Sequence, residues 1–320
     1  MAREIADGQH GAYDSLLIAQ GGKLLFESYF RRGRVNLTHP QVSATKSYTA
    51  LALGRAIQLG YLTMADLDRP IIEFLDRLDP QRLPEGADSI TLHKALTMSS
   101  GLRLTEEQEK DIDEHPAAAE GQGQVQAYLE KSAPITPASQ TFKYQGTDPN
   151  LVMQVLEAVV PGSAEDFLRG ELFDKMGITT YSWQRDAASG LPRGGDRASL
   201  SSRAMVKWGL LVLRNGKWGQ TQLVPKAYIE RMTKRHVRLG PEEAFFASEE
   251  VRHPGYGYLW WQADMHSGGK SYFSTSAQGG GGQHIIVIKE LDLVIVVTAH
   301  GAKSPVMQLT PQRILPALTP

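Results

Sequence analysis

The 320-residue chain contains no cysteine. Disulfides, thiolate metal sites and cysteine nucleophiles are excluded, while the redox compartment stays open. It also has no apolar run long enough to span a bilayer. The opening Met1-Ala2-Arg3-Glu4-Ile5-Ala6-Asp7 lacks the apolar core of a signal peptide. That favours the cytoplasm as the sequence stands, and the periplasm or exterior if a leader was trimmed from it. Neither charge sign dominates: 34 Lys and Arg against 35 Asp and Glu leave a net charge of −1. Nothing there implies nucleic acid or an anionic membrane as a partner. The nine histidines show no His-Glu-x-x-His or other ligand spacing, so no metal and no other cofactor is expected. There is no Gly-x-Ser-x-Gly elbow, and the glycine run at 279–282 fits neither the Walker nor the dinucleotide pattern.

What is present is organised in three parts. Tyr13 to Arg31 holds two short apolar runs around Gln20-Gly21-Gly22-Lys23, a β-hairpin signal. A helix follows from about Ser43 to Leu59, with Gly60 placed to end it. From 61 to about 200 the pattern is mostly helical. Short helices are expected over Leu67–Leu75 and Ile90–Gly101, a solvated loop or surface helix over 105–123, and an amphipathic helix over Glu165–Met176. Helices return at Ser199–Leu213 and Pro225–Met232. After 255 the period becomes two, with strands expected at Tyr256–Trp261, Ser271–Thr275, Ile285–Ile288 and Leu291–Thr298, and a closing helix over Val306–Leu318. Strands at both ends of the chain can share one antiparallel sheet only if the helical middle is inserted between them. The expected lobes are 1–60 with 200–320 and, inserted, 61–199.

The chemistry centres on Val42-Ser43-Ala44-Thr45-Lys46-Ser47-Tyr48-Thr49. Ser43 stands where a helix should start, and Lys46, three residues on, shares its face. An ordinary N-cap serine would need no lysine there. Desolvation and the positive helix end both disfavour a charged amine, so Lys46 is expected to accept the Ser43 proton. The spacing alone is weak, because Ser267-Gly268-Gly269-Lys270 repeats it in a glycine-rich loop.

The 42–49 segment resembles the nucleophile motif of the serine β-lactamase and penicillin-binding-protein superfamily. Ile90-Thr91-Leu92-His93-Lys94-Ala95-Leu96-Thr97-Met98-Ser99-Ser100-Gly101-Leu102 is similar to a segment of its class C-like branch that carries no catalytic chemistry. The resemblance runs from about 13 to 300. It implies that Tyr144, in Phe142-Lys143-Tyr144-Gln145-Gly146-Thr147-Asp148, matches the tyrosine of the family's Tyr-x-Asn element and relays protons with Ser43 and Lys46. The Asn of that element is Gly146 here, and Asp148 is a candidate substitute polar group. The family's Lys-Thr-Gly strand is replaced by Ala277-Gln278-Gly279-Gly280-Gly281-Gly282-Gln283-His284, which resembles the Gly-x-Gly-Gly-Gln run of the esterase and 6-aminohexanoate-dimer hydrolase-like branch. Gly280 or Gly281 would join the Ser43 N–H in an oxyanion hole, and Gln283 would assist in substrate binding. His93 and His284 read as structural, and Trp260 and Trp261 as sheet packing.

The expected fold is therefore α/β (α+β), class C β-lactamase-like: a central antiparallel sheet flanked by helices, plus an inserted, mostly helical lobe, with the site between the lobes. The expected activity is serine hydrolysis through an acyl-enzyme on a small ester or amide. A β-lactamase or D-Ala-D-Ala carboxypeptidase activity is the alternative, and a non-catalytic or slowly acylated binding module is a third reading. The oligomeric state stays open.

Overall fold

The computed structural model describes residues 2–301 and 304–319. The chain divides into two compact units: Met1–Tyr48 with Ile178–Ser182 and Arg197–Pro320, and Thr49–Gly177 with Trp183–Asp196.

The first unit is built on an antiparallel sheet of eight strands. In chain order these are β1 (Tyr13–Gln20), β2 (Lys23–Tyr29), β3 (Val237–Arg238), β4 (Val251–Tyr256), β5 (Trp261–Ser267), β6 (Lys270–Gly279), β7 (Gln283–Ile288) and β8 (Leu293–Ala299). Their order across the sheet is β2-β1-β8-β7-β6-β5-β4-β3. The register between first and last strands sets Leu17 opposite Val296 and Ile18 opposite Ile295. The two ends of the chain thus share one sheet, as their patterning requires. β1, β7 and β8 are nearly continuous apolar runs because both their faces are covered. β2, at the edge, leaves Leu24 and Leu25 exposed. Gly21 and Gly22 both have positive φ, the backbone a two-residue hairpin turn demands.

The helix Ser202–Leu213 lies on this sheet. Ser201 caps it, accepting from the Ala204 N–H at 3.3 Å. A Cβ at Gly209 would come within 2.5 Å of Val294 and 2.9 Å of Ile285, so the helix approaches the strands closely only because that residue is glycine. The three residues before the cap form a strand rather than the helix start expected there. Ala198–Ser201 pairs with Thr38–Pro40, His39 facing Leu200.

Two further expectations in this unit are corrected. Tyr256–Trp261 is not one strand but the join between β4 and β5. Gly257 causes the break: a Cβ there would sit 2.3 Å from the Met232 carbonyl oxygen, and Leu259 takes φ +55° to complete the turn. The closing helix is interrupted. Val306–Leu309 and Leu315–Leu318 are α-helical, but Thr310–Ile314 widens into a π-turn. Pro311 sits there with no N–H to give, so the ladder reorganises around it. Trp260 and Trp261 are buried in the packing, Trp261 edge-on to Tyr256 at 4.8 Å.

The second unit is mostly helical. Its buried member is Thr147–Val159, packed against Leu92–Leu96. Thr91 caps the latter by accepting from Lys94 N–H at 3.1 Å. This helix ends four residues before Ser100-Gly101, because Met98 adopts φ +55° and turns the chain. The expected 67–75 helix is two short 3-10 turns, Ala65–Asp68 and Ile71–Phe74. Pro70 forces the residue before it out of the helical region, and Arg69 is extended at φ −89°, ψ 149°. The acidic stretch from 105 holds a surface helix, Glu106–Glu114, with a capping box between Thr105 and Gln108. Ala164–Leu168 continues as a π-turn over Arg169–Phe173. Among the described residues no helix is long and apolar enough to cross a membrane.

Candidate active site

Ser43 lies in a 3-10 turn, Val42–Ala44, that runs directly into the helix Thr45–Gln58. The turn is held from several sides within the first unit. Gln41 is fully buried; its backbone N–H donates to the Ala198 carbonyl at 2.7 Å and its side-chain amide to the His39 carbonyl at 2.8 Å. The Tyr48 hydroxyl donates to Gln41 Oε1 at 2.7 Å, reaching back across two helical turns. Ala198 N–H donates to Thr45 Oγ1 at 3.2 Å. The residue before the serine, Val42, has φ +48°. A β-branched side chain in the left-handed region is strained, and it persists only where the surroundings impose it. Here they present Ser43, half-buried, at the head of the helix.

Lys46 occupies the first helical turn and is itself buried. Its Nζ donates to Ser43 Oγ at 3.1 Å. The residue after it, Ser47, donates to the Leu259 carbonyl at 2.7 Å and so ties the helix to the β4–β5 turn. Ser43 and Lys46 are therefore brought together as the spacing predicts.

The end of β6 abuts the same turn. A Cβ at Gly279 would fall 2.1 Å from the Gln41 carbonyl oxygen and 3.2 Å from the Ala44 nitrogen, so no other residue fits without displacing the Ser43 turn. Gly279 pairs with Gln283, and Gly280, Gly281 and Gly282 form the loop between them. The Gly282 N–H donates to the Gly279 carbonyl at 3.2 Å. Gly280 faces the serine's turn, with its Cβ position 3.6 Å from Val42 Cγ1. At Gly281 the atoms nearest the Cβ position are Gln283 Nε2 and the Ala299 carbonyl oxygen, at 3.5 and 3.8 Å. Of the two glycines expected to serve the oxyanion, Gly280 is the one whose Cβ position meets the Ser43 turn.

Gln283 has a different place from the one expected. It is buried, and its amide donates to the Ala299 carbonyl at 2.6 Å, fastening the start of β7 to the end of β8. His284 is buried in β7, and desolvation pushes its imidazole down to about 4, so it is neutral at ordinary pH.

In the second unit Tyr144 is partly exposed, just before the helix Thr147–Val159. Asp148 is not presented to solvent at all. It is fully buried, accepting from Ser100 Oγ at 2.6 Å and from Gln145 Nε2 at 2.8 Å. It therefore offers no surface for a substrate. Burial raises its carboxyl to about 6 despite those donors.

Sequence reasoning passed over Gln41, Val42 and Ser47. Gln41 and Ser47 carry no spacing signal, and propensity argues against valine at a left-handed position. Gly279 was visible only as one of a run.

The Beta-lactamase family matches residues 2–319. The chain belongs to that family of serine hydrolases. Among solved structures it is similar to the octameric penicillin-binding protein homologue from Pyrococcus abyssi, at 19% identity and TM-score 0.72, covering 99% of this chain and 76% of that one. A D-stereospecific amidohydrolase from a Streptomyces species shares 16% identity at TM-score 0.69, over 97% of this chain and 96% of that one. EstCE1, a hydrolase with promiscuous acyltransferase activity, shares 16% identity at TM-score 0.70, over 100% of this chain and 96% of that one. These likenesses show the fold. A comparison with curated proteins gives no match.

Proposed function

We propose that the protein hydrolyses small carboxylic esters or amides through an acyl-enzyme on Ser43. The observation that carries this reading is the 3.1 Å hydrogen bond from Lys46 Nζ to Ser43 Oγ, at the head of a helix and beside a glycine-lined strand end. Ser43 Oγ attacks the substrate carbonyl carbon. Its proton passes to Lys46 and, through Tyr144, to the departing alkoxide or amine. The N–H groups of Ser43 and Gly280 receive the oxyanion. Water then attacks the acyl ester, gives one proton back to Ser43 by the same relay, and the carboxylic acid leaves.

Two features favour neutral substrates over penicillins. The strand end beside the serine reads Ala277-Gln278-Gly279, with no cation to hold a substrate carboxylate. Gly146 stands where the family's amide-binding Asn would be. The amidohydrolase and EstCE1 likenesses agree with ester and amide chemistry without fixing it.

Turnover of a nitrophenyl ester and of nitrocefin, by wild type and by Ser43→Ala, tests the reading. It expects ester hydrolysis that Ser43→Ala abolishes, and slow or absent nitrocefin turnover. Ester turnover untouched by Ser43→Ala would sink the nucleophile assignment; faster turnover of nitrocefin than of the ester would reverse the substrate class.

A further inference from the structure

The segment Met98–Arg103 has no chemistry of its own in the reading above, yet it grips the Tyr144 stretch along its length. Lys143, the residue before Tyr144, donates its backbone N–H to the Met98 carbonyl at 2.8 Å. Gln145, the residue after it, donates its side-chain amide to Asp148 Oδ1 at 2.8 Å and reaches the Leu102 carbonyl at 3.5 Å. Asp148 in turn takes the Ser100 hydroxyl on Oδ1 at 2.6 Å and the Ser100 backbone N–H on Oδ2 at 3.4 Å. Arg103 donates from Nη2 to the Thr141 carbonyl at 3.2 Å. Gly101, at φ +91°, lets Gln140 and Ser139 approach to within 3.0 Å of where its Cβ would be. Tyr144 is thus the exposed residue between two fastened neighbours.

We infer that Asp148 is a positioning residue: its buried carboxylate locks Gln145 to Ser100 and so fixes Tyr144 for proton relay, an inference that rests on Tyr144 acting in the acyl transfer proposed above. A buried carboxylate is costly unless its oxygens are occupied, and here donors from two separate segments occupy them. Such a group holds those segments in one arrangement, because releasing either would strip a buried carboxylate of part of its donors. This also gives the 90–102 segment a purpose: it supplies Ser100, one jaw of the clamp.

The test is a double-mutant cycle on ester turnover with Asp148→Asn and Tyr144→Phe. Asp148→Asn removes the charge that strengthens both side-chain hydrogen bonds on Oδ1 and sets an amide NH2, itself a donor, against the Ser100 backbone N–H that Oδ2 accepts. It is expected to lower kcat by about 10-fold or more with KM changed less than about 2-fold, and to add no further loss in the Tyr144→Phe background. A loss from Asp148→Asn that multiplies fully on top of Tyr144→Phe, or no loss at all, overturns the clamp. If Tyr144→Phe alone leaves kcat unchanged, the relay role of Tyr144 fails, and the clamp with it; that result is distinct from a failure of the clamp alone. Should Asp148→Asn not fold, Ser100→Ala removes a single donor and is read through the same cycle against the same two outcomes. Restoration of kcat by Ser100→Thr, which returns the hydroxyl, is the further signature expected of positioning.

Discussion

Two stretches of this chain spell serine, two residues, lysine. Ser43 and Lys46 lie on a 3-10 turn and the first turn of a helix, 3.1 Å apart at Oγ and Nζ, with the lysine buried. Ser267 and Lys270 are cross-strand partners at the mouth of the β5–β6 hairpin, closed by Gly268 and Gly269 at φ +57° and +76°. Ser267 gives its hydroxyl to the Pro311 carbonyl at 2.7 Å, and Lys270 is exposed. The difference lies in what the two intervening residues permit. Ala44-Thr45 propagate a helix, which puts positions i and i+3 on one face. Gly268-Gly269 reverse the chain, which leaves the serine hydroxyl on the distant Pro311 carbonyl and the amine in water. The same letters thus bring hydroxyl and amine together only where the backbone joins them, and there the amine is buried.

The comparison breaks or sharpens under mutation. The largest contrast is between the serines: Ser43→Ala is expected to lower ester kcat by about 1,000-fold or more, while Ser267→Ala leaves it within about 2-fold, measured on equal amounts of folded protein. Next come the lysines. Lys46→Ala should cost about 100-fold or more in kcat/KM, and Lys270→Ala nothing measurable. A smaller effect separates the glycines. Gly279→Ala drives a methyl into the Gln41 carbonyl beside the Ser43 turn, so about 1–3 kcal/mol of stability should be lost together with activity. Gly269→Ala meets open space and costs only the left-handed backbone, about 1 kcal/mol, with activity kept. Chemical denaturation alongside the ester assay reads both.

The smallest contrast is in pH. The folded-state imidazole of His284 is depressed from 6.5 to about 4, so between those values the unfolded chain binds the proton and the folded chain does not. The stability linked to His284 is therefore intact above about pH 6.5 and lost as pH falls towards 4, by about 3 kcal/mol in all. Relative to His284→Asn, wild type should lose that amount between pH 7 and pH 4 in urea titrations; an unchanged difference would mean that His284 is not held neutral.

Much of the fold was legible because its signals are periodic. The Gly21-Gly22 hairpin, the apolar runs of β7 and β8, and the join of first and last strands across an inserted middle all follow from patterning. The boundaries that were misread sit where one backbone fact outranks periodicity: Pro70 splitting a helix, Pro311 widening another, Met98 turning early, Gly257 ending a strand. At the site, Ser43 and Lys46 were legible because a helix makes three-residue spacing meaningful. Asp148 and Gln283 were not, because a polar residue near a motif reads the same whether it faces a substrate or a buried donor. Only burial separates the two: Asp148 accepts from Ser100 and Gln145, and the Gln283 side-chain NH2 donates to Ala299. The clamp joining residues 98–103 to 139–148 is a long-range pairing that no local pattern encodes.

The central claim is that Ser43, and not its spelling-mate, is the acylated residue. Intact-protein mass spectrometry with peptide mapping after treatment with a fluorophosphonate tests it most directly. The account predicts a single adduct, on the peptide containing Ser43, that is absent from Ser43→Ala. An adduct at Ser267 or another residue, or undiminished labelling of Ser43→Ala, would contradict it.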